Sequence, residues 1–228
     1  NPSLATALKT KINNSPIVIL QNGLNIEQSF IDIDFTQIYR CVLFATSQQV
    51  SKNKLRFKPV ASSPVGIIKG DGEILGAIVE QLDNSNFRFK AEINIQPVIW
   101  TKAIVNSVFN SVCTLLEIDN GIFYRNEKAF NIARRVIAEC VAIASAKNIL
   151  LDIKEVESTL LLISKSSEGQ FISTLQDIRN KRKTEIETLN FAIANTAKEL
   201  SKDDLVRETR LLGELINIKS ELAQYYLK

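Results

Sequence analysis

Hydrophobic and polar positions follow two different rhythms along this chain. Through the first 95 residues, short apolar runs rich in β-branched residues alternate with brief polar breaks. "PIVIL" (16–20) stops at the turn pair Asn22-Gly23. "RCVLFATSQQV" (40–50), "KLRFKPV" (54–60), "PVGIIKG" (64–70) and "FRFKAEI" (87–93) read as further strands. A turn at Asp71-Gly72 and a helical period over "EILGAIVEQL" (73–82) interrupt them. From about Pro97 the strand signals vanish, and helical periods cover 97–117, 127–148, 153–164, 174–182, 185–199 and roughly 204–227. The pattern predicts an α/β domain over 1–95 and an all-α domain over 96–228, with the boundary inside "INIQP" (93–97).

One helical stretch breaks its own rule. "WTKAIVNSVFNSV" (100–112) is mostly apolar, yet Lys102, Asn106 and Asn110 sit four residues apart. Each step of four drifts only about 40° round a helix, so the three share one face. A solvated face explains the spacing. A polar stripe lining a cleft explains it too, and Asn is a poor choice for an exposed helix interior. In the second case an ammonium and two amides hold the carboxylate and carbonyl oxygens of a small acid.

Further along, Ser173 followed by Gln176 and Thr184 followed by Glu187 both match the capping-box spacing. They predict two consecutive helices with a break near Lys183, Ser173 as an N-cap and Glu185 at a first helical position. The basic cluster "RNKRK" (179–183) reads as a solvated junction between them, with a phosphate or nucleic-acid patch as the lesser alternative. The apolar face of "EKAFNIARRVIAECVAIASAKNIL" (127–150) suits either the core or a dimer contact, and core is the simpler reading.

Composition narrows the chemistry. The chain has 228 residues, 45% apolar and 23% charged, with a net charge of +3, which gives no strong argument for nucleic acid or membrane. No apolar run approaches the ~20 residues needed to span a bilayer. The three cysteines, Cys41, Cys113 and Cys140, are scattered and make no disulfide framework, which favours a reducing, cytoplasmic compartment. There is no histidine, which argues against zinc sites and against Ser-His or Cys-His catalysis. Proton transfer then falls to Lys, Glu, Asp, Tyr or Cys. The chain opens on Asn1 and contains no Met, and reads as a piece of a longer protein.

Taken in order, "ILQNG" (19–23), "WTKAIVNSVFN" (100–110), "LLEIDNG" (115–121) and "STLQDIRNKRKTEIETLN" (173–190) resemble the ketopantoate reductase (2-dehydropantoate 2-reductase) family. The family reads Lys, Asn, Asn at this same spacing, an Asn-Gly ten residues after the second Asn, and Ser-to-Glu twelve residues apart. The resemblance covers essentially the whole chain.

It implies a partial Rossmann-type dinucleotide-binding domain followed by a helical domain, with the active site in the cleft between them. It implies Lys102 as the general acid for NADPH-dependent reduction of a 2-oxo acid, in pantothenate biosynthesis. Asn106, Asn110, Asn120 and Ser173 would hold the substrate. Asn22 and Glu185 would contact the nicotinamide end of the cofactor, with Asn22 also near the substrate and Glu185 counted with the catalytic groups. Thr46 stands where the family places an Ala near the cofactor. A homodimer is compatible, and no metal is implied. The family's G-x-G-x-x-G loop, which seats the pyrophosphate, is not in this chain. Thr46, and Thr174 in place of the family's Met, leave room for a related 2-hydroxy-acid dehydrogenase acting on another branched 2-oxo acid. A non-catalytic helical interaction domain is the reading from a different class.

Overall fold

A computed structural model describes residues 2–12, 15–51 and 53–225, without the side chains of residues 47–50, 55 and 56. The chain divides into two compact units, Asn1–Val98 and Ile99–Lys228.

The first unit runs α1 (Pro2–Lys9), β1 (Ile17–Ile19), α2 (Gln28–Ile31), β2 (Ile38–Cys41), β3 (Ala45–Ser51), β4 (Lys54–Pro59), β5 (Ser63–Lys69), α3 (Gly72–Leu82) and β6 (Phe89–Ala91). Four strands make one sheet in the order β1-β2-β5-β6. β1 and β2 are parallel, β2 and β5 antiparallel, and β5 and β6 parallel, so α3 is the crossover of a β-α-β unit. β2 is buried on both faces. Ile38 packs with Ile17, Ile19, Phe30 and Phe35, while Tyr39 and Cys41 pack with Val65, Leu75 and Ile78. Apolar alternation cannot distinguish faces in such a strand.

The single strand expected over 40–50 is two. It breaks at Val42–Phe44, where the chain leaves the sheet to form the β3–β4 hairpin. The break is hydrogen-bonded rather than loose: Val42 N donates to Pro64 O at 2.9 Å and Phe44 N to Ser63 Oγ at 2.9 Å. The Asp71-Gly72 turn is the start of α3, where Asp71 Oδ1 accepts from Glu73 N at 2.6 Å. The carboxylate occupies that helix N-terminus itself.

The helical half begins with α4 (Ile95–Val108), continues through a π-helical turn (Phe109–Cys113), and ends in α5 (Thr114–Leu116). Then follow α6 (Ile122–Arg125), α7 (Glu127–Ala146), α8 (Ile153–Ser166), α9 (Ser173–Arg179), a 3-10 turn (Ile186–Thr188), α10 (Asn190–Glu199), a second 3-10 turn (Asp203–Val206) and α11 (Arg207–Tyr225). Residues 226–227 of the expected last helix lie outside the described residues.

The segment Ile95–Leu116 is 22 residues with mean hydropathy 1.2, long and apolar enough to cross a membrane by length and composition. This corrects the run-length reading of the sequence. Its apolar window is 72% buried inside the fold, as a core helix would be. The apolar face of α7 is also core: Ala133, Val136, Ile137, Cys140 and Ala144 are buried. Glu139 on α7 caps α11, accepting from Glu208 N at 2.9 Å and Thr209 N at 2.8 Å. α11 buries Thr209, Gly213, Ile216 and Ser220 but exposes Leu211, Leu215, Ile218 and Leu222 on its other side.

Candidate functional site

The Lys102–Asn106–Asn110 stripe grades inward. Lys102 and Asn106 are half-buried, while Asn110 is only 3% exposed. Around them Ala103, Ile104, Val105, Ser107 and Val108 are buried. The serines of this helix turn back on it: Ser107 Oγ donates to Ala103 O at 2.8 Å and Ser111 Oγ to Ser107 O at 2.6 Å. Of the Lys-Asn-Asn row, Lys102 and Asn106 keep part of their surface accessible, while Asn110 turns into the fold.

Asn110 is the second residue of the π turn, a local feature frequent at functional sites. Its Nδ2 donates to Asn106 O at 2.9 Å. Its Oδ1 accepts from Ser173 Oγ and from Thr174 N, both at 3.3 Å. Asn110 and Ser173 are therefore brought together, and the amide of Asn110 serves one of the open N–H groups at the start of α9. Ser173 itself is the first residue of α9, preceded by Ile172, and makes no cap bond. Its expected N-cap role is corrected. Gln176 does reach back, donating from Nε2 to Phe171 O at 2.7 Å. With the start of α9 served from the π turn, Ser173 keeps its hydroxyl free of capping.

Asn120 sits in a braced turn. Glu117 ends α5 in the left-handed conformation (φ 52°), and Ile118 N returns to Cys113 O at 3.0 Å. Asn120 N donates to Gln170 O at 2.8 Å, and Asn120 O accepts from Ser164 Oγ at 2.7 Å. Arg125 bridges Asp119 (2.9 Å) and Glu168 (2.6 Å) across the same turn. The Arg125 guanidinium holds the Asp119 carboxyl below its ordinary range, and the two carboxylates raise Arg125. A Cβ on Gly121 would meet Arg125 Nη1 at 2.6 Å and Asp119 Oδ1 at 2.8 Å, so a side chain at the second member of the Asn-Gly pair would push the ends of these two bridging side chains aside. Asn120 is 7% exposed, and its Oδ1 is buried without a hydrogen-bond partner among the described residues.

Glu185 is exposed and flanks the 3-10 turn Ile186–Thr188; the α-helix starts only at Asn190. Its expected place at a first helical position is corrected. The second capping-box match starts no α-helix, because buried Ile186 and Leu189 pull the segment inward before a full turn forms. Residues 179–183, the basic cluster, are all exposed.

In the first unit, Asn22 is half-buried in the loop that follows the carboxyl end of β1, beside the parallel strand β2. That end of an open α/β sheet is where ligands bind. Thr46 is exposed on β3 of the separate hairpin, opposite Lys58. Sequence reasoning passed over Arg40, on β2 beneath the Asn22 loop. The available signal was one Arg inside an apolar strand.

Residues 94–217, more than half of the chain, match the family described as "Ketopantoate reductase PanE/ApbA C terminal". The chain belongs to the ketopantoate reductase family. It is 27% identical over 143 residues to the 2-dehydropantoate 2-reductase of Streptococcus pyogenes serotype M3, covering 62% of this chain and 46% of that protein. The chain thus spans about half the length of the curated relatives it matches at that extent. Its fold is similar to D-mandelate dehydrogenase solved with NADH and anilino(oxo)acetate, with a TM-score of 0.83, 24% identity and coverage of 97% of this chain and 73% of that one. It is similar to the dimeric ketopantoate reductase of Staphylococcus aureus, with a TM-score of 0.81, 17% identity and coverage of 97% and 74%. The mixed sheet followed by helices is thus the Rossmann-type and helical pairing expected of the family.

Proposed function

We propose that the complete protein is a cytoplasmic 2-dehydropantoate 2-reductase of the pantothenate pathway, using NADPH. The observation that carries this reading is the graded Lys102–Asn106–Asn110 row, with Asn110 joined to Ser173. A solvated face would leave all three exposed. A row that passes from half-buried ammonium to buried amide on a core helix has the character of a pocket wall.

The nicotinamide supplies a hydride. The amide of Asn22, half-buried beyond the carboxyl end of β1, is chemically suited to a carboxamide, with one donor and one acceptor side. The chain's own residues do the rest. The Lys102 ammonium donates a hydrogen bond to the ketone oxygen and passes its proton there as the carbonyl carbon becomes tetrahedral. Asn106 donates to the substrate's carboxylate, while Ser173, whose one hydroxyl proton goes to Asn110, accepts from a substrate hydroxyl. Asn120 holds the substrate from the turn that Arg125 braces. Glu185 supports the nicotinamide end and balances the charge of Lys102, and Thr46 borders the cofactor.

A related dehydrogenase for another branched 2-oxo acid is the second reading, favoured by the similarity to D-mandelate dehydrogenase. NADPH and NADH oxidation by the complete protein, measured with 2-dehydropantoate and with the 2-oxo acid of mandelate, separates the two. Lys102→Ala tests both. It lowers kcat by about 10²–10⁴ if the amine is the acid. Retention of more than about a tenth of the activity in a folded variant, far above the loss expected of a positioned acid, refutes the role.

We further propose a homodimer formed through the exposed Leu211, Leu215, Ile218 and Leu222 stripe of α11. Its spacing of four, three and four is that of a helix-pairing seam, and the S. aureus relative is dimeric.

A further inference from the structure

We propose that Arg40 is a positioning residue that sets the direction of Asn22; this rests on the reading of Asn22 as a contact to nicotinamide and substrate. Arg40 lies on β2 and is 2% exposed. Its Nη2 donates to Gly23 O at 3.0 Å and reaches Gln21 O at 3.4 Å. Those are the carbonyls on either side of Asn22. Its Nη1 donates to Glu27 Oε2 at 2.6 Å, at the entrance to α2. One planar guanidinium therefore holds both ends of the loop that follows β1.

The loop needs such an anchor. Gly23 has φ 102° and Asn25 has φ 56°, so two of its residues leave the ordinary backbone regions. Leu24 and Ile26 bury its far side, which anchors depth but not direction. Gln21 O belongs to the peptide plane that enters Asn22, and Gly23 O to the plane one residue beyond it, so Arg40 ties the backbone before and after Asn22.

Stability alone is a poor reason to keep this ion pair. Desolvating two charges offsets most of their attraction, and apolar replacements of buried pairs are often neutral. Burial already lowers the pKa of Arg40, with Glu27 opposing that shift. Arg40 Nε is buried without a hydrogen-bond partner among the described residues, a further cost of keeping the group inside. What Arg offers over an aliphatic side chain, and over Lys, is a rigid fork that meets diverging acceptors at once. Lys keeps the charge and reaches one of them.

A double-mutant cycle in the complete protein tests this. kcat/KM and the single-turnover hydride-transfer rate are measured for Asn22→Ala, Arg40→Lys and the double variant, with NADPH and the 2-oxo acid. Arg40→Lys is expected to slow hydride transfer by about 10–100-fold, the effect of a misplacement near 1 Å. In the Asn22→Ala background the same change is expected to cost less than about 2-fold, because residues acting through one contact are not additive. A purely structural Arg40 would slow both backgrounds by the same factor, and that outcome overturns the proposal. Full activity in Arg40→Lys also overturns it. If Asn22→Ala alone leaves hydride transfer unchanged, the reading of Asn22 fails first and the proposal falls with it. Should Arg40→Lys not fold, Glu27→Gln enters the same cycle, and full additivity with Asn22→Ala overturns the proposal equally.

Discussion

The side-chain oxygen of Asn110 receives the hydroxyl of Ser173 and the adjacent backbone N–H of Thr174, each at 3.3 Å, across 63 and 64 residues of sequence. One amide on the core helix thus fixes the start of α9. Asn110→Ala leaves the Thr174 N–H buried and unpaired, and is expected to destabilise the protein by about 1–3 kcal/mol. Denaturant unfolding checks this; a loss under about 0.5 kcal/mol would show that the contact carries little weight.

Asn106 stands one turn from Lys102, and its backbone carbonyl already serves Asn110. Its side chain is assigned to substrate. In the complete protein Asn106→Ala should weaken the 2-oxo acid by roughly 1.5–3 kcal/mol, the worth of a hydrogen bond to a charged group, and leave the cofactor nearly unaffected. A raised KM for cofactor alone would place Asn106 on the wrong ligand.

The Asp119–Arg125 bridge gives a pH dependence of known sign. Hydrogen bonding to Arg125, then to the N–H of Gly121, lowers the Asp119 pKa in the folded chain. A lowered folded value means the stabilisation is fully present above the unfolded carboxyl pKa of about 3.9 and is lost as pH falls through the folded value. Asp119→Asn should therefore cost up to about 1 kcal/mol at neutral pH, the scale of a partly exposed bridge. The gap to wild type should shrink on acidification below pH ~4. An unchanged gap across that window rules out the bridge as its source.

All three cysteines are buried, and burial raises the Cys113 and Cys140 thiols to about 12. In the native chain Cys113 and Cys140 should be inert to an aromatic disulfide reagent at mildly alkaline pH, because so little thiolate forms there. Three equivalents should react after unfolding. Rapid labelling of the native chain at Cys113 or Cys140 would contradict their burial.

For the α11 stripe, sedimentation equilibrium is the measurement. Leu215→Glu should convert a dimer to monomer while α11 keeps its buried face. Wild-type protein that stays monomeric at its highest soluble concentration sinks the homodimer.

What the sequence revealed and what it hid follow from range. The polar row on the core helix was readable because helical period is local. The tie from Asn110 to Ser173 was not, since nothing in either segment announces a partner 63 residues away. Capping signals misled at Ser173 and Thr184 for the same reason. A side chain from another helix serves the first, and burial of Ile186 and Leu189 overrides the second. The β2–β3 break at Val42–Phe44 was invisible because apolar residues run straight through it. Arg40 was passed over because its acceptors are backbone carbonyls, which carry no sequence signature.

The π turn at Phe109–Cys113 amounts to one residue inserted into an otherwise α-helical register. Each residue advances a helix by about 100°, so removing a single position there would swing Thr114 and everything up to the Asn120 turn by that angle. Lys102 and Asn106, upstream of it, would keep their heading. The helix is in this sense a ratchet with one extra tooth: relatives that differ by one residue in this short stretch would share the Lys-Asn pair and yet aim their Asn-Gly turn at a different wall.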